Sequence, residues 1–337
     1  MAIHEINSTI QDQIEKSTKH IIDAVMVVAL IFSLIGLFLN FLSFYYAKMM
    51  LRGPQHIFYI QALAVTGSFS ILFDGIVDPI QIWIGRDFGF NTYLCAFEMA
   101  LDFVSTYATN WIVVAITADR LIAVYMPYFY LHHSKSNIPA KVVVFLGTFV
   151  IYAINMPIIY ASWHGNSAKE CVAKLSGMFY ELVDVTLWTN NTVPVIIVLI
   201  MSLAIAIKLL QKHRKAKVIF AHNESLSKDE QNALKMLLLV AVMFLILTIP
   251  TQFSTALHVY VSDNEDVSYE LRKWSYILDN VEEVFHIVNS GCTFFLYLLG
   301  NKRFRKEFFK KRTLKQTRST STNVDETRRT TVTTEVD

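Results

Sequence analysis

Long apolar stretches recur along the chain, separated by short polar segments. They run from Ala24 to Ala47, Ile57 to Trp83, just before Cys95 to Tyr125, Pro139 to Tyr160, Val185 to Leu210, Asn232 to Tyr260 and Lys273 to Leu299. Crossing the roughly 30 Å hydrocarbon core of a bilayer takes about 20 predominantly apolar residues in a helix. The pattern therefore predicts an all-α membrane protein, a seven-transmembrane helix bundle over residues 24–300. Behind Gly300, the segment Asn301 to Arg312 places Phe304, Phe308 and Phe309 on one face and Lys302, Arg303, Arg305, Lys306, Lys310 and Lys311 around the rest. That arrangement predicts a short amphipathic helix lying on the anionic cytoplasmic membrane surface. Residues 313–337 have no apolar pattern and are rich in Thr and Ser, which predicts a disordered tail.

Polar residues inside the spans carry most of the information. A central charge costs roughly 2.5–3.5 kcal/mol on insertion scales, so such groups face the bundle interior or a wet cavity. In the third span Glu98, Asp102, Ser105, Thr106 and Thr109 recur at helical spacing and form one polar stripe. Asp74 and Asp78 occupy the upper half of the second span, just before Pro79; Asp279, Glu282, Glu283, His286, Asn289 and Ser290 lie in the seventh. Asn40 in the first span should face other helices and hydrogen-bond there. Asp119-Arg120 closes the third span, tolerable at a cytoplasmic rim where both reach water. From the dipeptide alone Arg120 is either a latch facing the cell interior or an anchor for the helix.

Composition agrees with the span count. The chain has 337 residues, 53% of them hydrophobic and only 17% charged, whereas soluble domains average about 25% charged. A net charge of +2 gives no reason to expect a nucleic-acid partner. No zinc-type Cys/His spacing, glycine-rich phosphate loop or nucleophile elbow occurs, so no cofactor, metal or enzymatic activity is implied. Met1 to Lys19 is polar and lacks a signal-peptide pattern, and residues 1–23 are read as an N-terminal segment ahead of the first span. Lys and Arg concentrate after the first, fifth and seventh spans, so the positive-inside rule puts the N-terminus outside and the tail in the cytoplasm. Only this orientation exposes the Asn7-Ser8-Thr9 sequon to glycosylation and sets Arg120 at the inner face.

Of the cysteines Cys95, Cys171 and Cys292, the first two fall on the outer, oxidising side. A Cys95–Cys171 bridge would pin the loop across the bundle mouth, worth roughly 4–5 kcal/mol by chain entropy. The alternative is three unpaired thiols. Cys292 reads as a packing residue.

With these features in place the chain resembles a rhodopsin-like (class A) G-protein-coupled receptor. Asp119-Arg120-Leu121 with Ala123 and Pro127 is similar to the family's D-R-Y-x-A-x-x-x-P segment. Gly36 and Asn40, Cys95 with Cys171, Pro194, Pro250, Asn289-Ser290 followed by Tyr297, and Lys302-Arg303-Phe304-Arg305 support the likeness. There are departures. The family's second-span acid is Gly67, its N-P-x-x-Y reads Thr293-Phe294-Phe295-Leu296-Tyr297, and its fourth-span tryptophan is closest to Gly147. Thr248 stands before Pro250 where the family has an aromatic, Ser202 replaces a tyrosine, and Ile287 replaces the retinal-bearing lysine of opsins. Such divergence resembles invertebrate neuropeptide and chemosensory receptors more than amine receptors.

The resemblance implies an extracellular ligand, a heterotrimeric G protein at the inner face, and a receptor kinase and arrestin at the Ser/Thr-rich tail. Asp102 matches the position that holds a ligand ammonium in amine receptors. With Asp78, Glu98 and Glu283 it would make a negative well suited to a cationic ligand, a neuropeptide ahead of an amine or chemosensory molecule. Thr106, Thr186, Asn190, Gln252 and His286 would line the same cavity. Each of these is equally a helix–helix contact by residue type. For the acids the alternative is a water interface or pairing with Arg86, Lys174, Arg272 and Lys273, which is the reading taken for Asp279 and Glu282, while Asp102 is read as a ligand contact. Glu230, ahead of Pro250, matches the acid that pairs with the arginine in some members; as an acid in a first helical turn it also suits the helix dipole. A transporter or channel is the rival class, but no inverted repeat with broken helices appears.

Overall fold

The computed structural model describes residues 2–49, 56–84, 92–133, 138–164, 178–219, 228–264, 266–292, 294–295, 298, 305 and 308–309. The helices are α1 (Ala2–Met49), α2 (His56–Leu72), α3 (Asp78–Ile84), α4 (Thr92–Tyr125), α5 (Pro127–His133), α6 (Ile138–His164), α7 (Met178–Ile219), α8 (Lys228–Asp263) and α9 (Tyr269–Gly291). No strand occurs among the described residues. Helices satisfy every backbone polar group internally, as a hydrocarbon surround requires.

Among the described residues six segments are long and apolar enough to cross a membrane: Gln13–Lys48, Ile57–Gln81, Ala100–Tyr125, Ile138–Met156, Thr189–Lys208 and Val242–Val261. The predicted seventh span is α9, whose Asp279, Glu282, Glu283 and His286 lower its hydropathy below that of the other six. It packs between α1 and α8 and completes a seven-helix ring. Large apolar side chains such as Phe38, Phe41, Phe145, Phe149, Ile200 and Phe253 are exposed around the bundle. An apolar perimeter on that scale fits a lipid surround.

Two departures from the sequence pattern have local causes. First, α1 starts at Ala2, far ahead of the apolar stretch, and its outer part docks along the start of α9. Ile14, Thr18 and Ile22 are buried there, and the Ser17 hydroxyl lies 3.2 Å from that of Tyr269. Second, α2 does not run straight into α3. A π-helical turn, Phe73–Val77, joins them, with the Asp78 N–H donating to the Phe73 carbonyl. Pro79 supplies the reason, because it has no N–H to offer the Gly75 carbonyl one turn back. Gly75 is buried there, and a methyl group on it would collide with the Ser33 hydroxyl. At the other end, Met126 separates α4 from α5, and Pro127 opens α5 at the position where its missing N–H costs nothing.

The inner core joins Tyr59 and Leu63 of α2, Ile112 and Ile116 of α4, Val198 of α7 and Phe244 of α8. Across the ring, α1 meets α9 almost backbone to backbone. A methyl group on Gly291 would stand 2.8 Å from the Gly36 Cα. Beside this contact Asn40 Nδ2 donates to the Ser290 carbonyl at 3.2 Å, the interhelical bond expected of a buried asparagine. Of the predicted amphipathic segment, Arg305, Phe308 and Phe309 are described and helical; the Phe308 ring packs at 5.2 Å from Tyr46 and 5.6 Å from Phe294.

Candidate functional site

Three elements bring a polar cluster together inside the ring. The π turn presents Asp74, with Ser70 one turn below; α4 presents Asp102 and Thr106; α9 presents His286 and Ser290. Ser70 donates to Asp74 Oδ2 at 3.1 Å and lies 2.8 Å from His286 Nε2, which is itself 3.2 Å from Asp74 Oδ2. With the single Ser70 hydrogen committed to Asp74, Nε2 of His286 must carry a hydrogen. Thr106 donates to Ser70 at 3.3 Å, and Ser290 Oγ approaches the same hydroxyl at 3.5 Å. Ser70 is thus the hub of three helices. Asp102 is hydrogen-bonded to the Asp74 carboxyl, while its Oδ1 has no partner among the described residues. One turn further in, Thr109 Oγ1 lies 2.9 Å from Thr66 Oγ1.

Above this cluster the acids continue. Glu282 is hydrogen-bonded to Thr251 of α8, yet its Oε2 and the Oε1 of Glu283 are buried without a partner among the described residues. Asp78 lies within electrostatic range of both Asp102 and Glu283. Glu98 accepts a hydrogen bond from Gln81 Nε2. The outer half of the ring is therefore walled by carboxyl groups from α3, α4 and α9, with Asp74 at its floor.

The polar candidates on α7 divide. Thr192 donates to Gln252 Oε1 at 2.6 Å, leaving the Gln252 Nε2 buried without a partner among the described residues. Asn190, in contrast, is committed elsewhere: its Oδ1 accepts from Trp111 Nε1 at 3.2 Å and its Nδ2 donates to the Thr186 carbonyl at 3.0 Å. It braces α7 against α4. Thr186 is buried beside it. Asp74 and Ser70, absent from the sequence-based candidates, are the most connected members. Their signal was the Ser70, Asp74, Asp78 spacing of four on a single helix face.

At the opposite end, Asp119 Oδ2 is 3.8 Å from Arg120 Nε and accepts from the Tyr130 hydroxyl of α5 at 3.3 Å. Burial pushes the Tyr130 phenol above its ordinary value despite the nearby Arg120 charge, so it stays a donor. Tyr125 donates to the Ala204 carbonyl at 3.2 Å and lies beneath the Lys208 ammonium, 5.1 Å from the ring centre, tying α4 to α7. Pro250 lies within α8, whose first turn holds Glu230. The Glu230 side chain, Cys171, Thr293, Tyr297 and the tail lie outside what is described, as do the side chains of Asn7 and Cys95. Cys292 is a free thiol, donating to the Asn289 carbonyl at 3.3 Å.

Among curated proteins none matches the chain. The model of the 7 transmembrane receptor (rhodopsin family) matches residues 41–291, which includes the polar cluster, the acid-walled outer half and the Asp119-Arg120 end. The protein belongs to the rhodopsin family of seven-transmembrane receptors and is a multi-pass membrane protein.

Proposed function

We propose that this receptor takes an extracellular cationic ligand, a neuropeptide ahead of an amine, into the acid-walled half of the ring and activates a heterotrimeric G protein at the Arg120 end. The N-terminus is then outside the plasma membrane and the tail inside, available to receptor kinase and arrestin. One observation carries the reading: Asp102 Oδ1, Glu282 Oε2 and Glu283 Oε1 are buried acceptors that nothing among the described residues satisfies. Buried carboxyl oxygens without partners are costly, and a ligand offering several N–H donors on a positive charge would relieve that cost. Acceptors spread over α4 and α9 suit a ligand with more than one such group, which favours a peptide bearing Arg or Lys over a single ammonium. Binding shifts the receptor only by differential affinity for its two states, and the mobile element is α8, bending at Pro250.

The test is a panel of amidated basic peptides and amines on cells expressing the chain, read as ligand-dependent nucleotide exchange on a co-expressed G protein. Asp102→Asn should abolish the response to a cationic agonist while surface expression persists. Unchanged potency would remove Asp102 from the site, and ion flux without nucleotide exchange would overturn the receptor mechanism.

A further inference from the structure

A second cavity lies on the outside of the ring, away from the acids. It has a volume of about 510 Å³ and sits between α4, α6 and α7, within the range of small-molecule sites, roughly 300–1,000 Å³. Its walls include Ala108, Trp111, Ala115, Val144, Gly147 and Ile151, and no charged side chain among the described residues lines it. Gly147 opens it: a methyl group there would have no neighbour within 4 Å. The rim residues Val143, Val150 and Ile154 are exposed. From Val143 to Ile154 the cleft follows α6 for about 16 Å.

We propose that this cleft is a binding site for a hydrocarbon chain of a bilayer phospholipid. Location comes first. Residues 143–154 lie inside the span Ile138–Met156, and the α4 wall lies inside Ala100–Tyr125. The medium that meets the rim is therefore lipid hydrocarbon. Polarity comes second. The amide of Asn190, which borders the cleft, is already engaged at both ends, by Trp111 and by the Thr186 carbonyl. That amide has already made one bond at each end, and Thr148 and Thr189 add only neutral hydroxyls, so the lining holds no charge for a phosphate or ammonium headgroup, whereas a methylene chain gains contact with the apolar walls. The bound chain packs against the Trp111–Asn190 brace and so supports the α4–α7 junction.

The experiment uses the full chain in nanodiscs of phosphatidylcholine carrying a mid-chain diazirine, photolysed and mapped by peptide mass spectrometry. Adducts on Ala108–Ala115 and Val143–Ile154 are expected to exceed, severalfold, those on the lipid-exposed Phe38 and Phe41 of α1. Gly147→Phe, which fills open space, should remove the α4 adducts and leave those on α1. Gly147→Leu should reduce them partly. In detergent, where the chain is lost, Gly147→Phe should also raise the melting temperature more than it does in the nanodisc. Adducts on α4 no more frequent than on α1, or unchanged in both variants, would overturn the assignment. So would a sterol diazirine probe that labels the cleft and excludes the phospholipid chain at equal membrane content.

Discussion

Nε2 of His286 lies 3.2 Å from Oδ2 of Asp74, across the gap between α9 and the π turn, with both atoms on the Ser70 hydroxyl. This pair joins two elements that no other described polar bond in the outer half connects so directly. Removing either partner leaves the other, a part-buried group, with Ser70 but without its opposite charge, at about 1–3 kcal/mol. His286→Ala and Asp74→Asn should each lower the melting temperature of the purified receptor. The double variant should lose less than the sum, with a coupling of about 0.5–3 kcal/mol. Strict additivity would show that the two side chains act separately.

Gly67 offers a contrasting case. A methyl group there would stand 2.9 Å from the Ser290 carbonyl oxygen and 3.2 Å from Asn40 Nδ2. Restoring the family's acid with Gly67→Asp should destabilise the receptor by about 1–3 kcal/mol through overpacking. A carboxylate would also face a carbonyl oxygen. Thermal unfolding checks this, and a variant that gains stability with added sodium would refute it.

Gly75→Ala should be the more damaging change at the π turn, since its methyl meets Ser33 and, at 2.9 Å, Ile287 Cδ1. Ser33→Gly in the same chain removes the first collision and should recover part of the lost folded yield. Fluorescence-detected size exclusion reads both.

Tyr130→Phe deletes the hydrogen bond from α5 to Asp119. A hydrogen bond to a charged acceptor contributes about 1.5–3 kcal/mol when buried, and the Tyr130 site is only partly so. Releasing Asp119 loosens its hold on Arg120, so ligand-independent nucleotide exchange should rise, by about threefold to tenfold for a shift near 1 kcal/mol. Arg120→Ala should keep agonist binding and lose coupling; full signalling from it would exclude a switch role.

Much of the architecture could be read from residue order. Asn40 facing its neighbours, the one-sided stripe from Asp102 to Thr109, and the charged yet membrane-crossing seventh span all follow from the cost of polarity in hydrocarbon. What escaped has equally plain causes. Asp74 falls in the upper half of the second span but is absent from the sequence-based candidates, because the π turn that swings it toward His286 does not show in helical periodicity, although Gly75 and Pro79 mark it. The outer run of α1 carries no continuous apolar face, since α9 rather than lipid or core covers Ile14 and Thr18. Asn190 looked like a pocket residue by type, and only the position of Trp111 shows where its amide is committed. The Gly147 cleft is made by a side chain that is missing, which a search for chemical groups passes over.

The glycine contact between α1 and α9 bears on how the chain is made. Its partners are separated by most of the sequence, so during synthesis the helix bearing Gly36 and Asn40 enters the bilayer long before Gly291 and Ser290 exist. Until then the Asn40 amide must be shielded by something else, whether translocon, chaperone or lipid headgroup. A ribosome that stops short of Gly291 leaves a fragment whose first helix still lacks its mate.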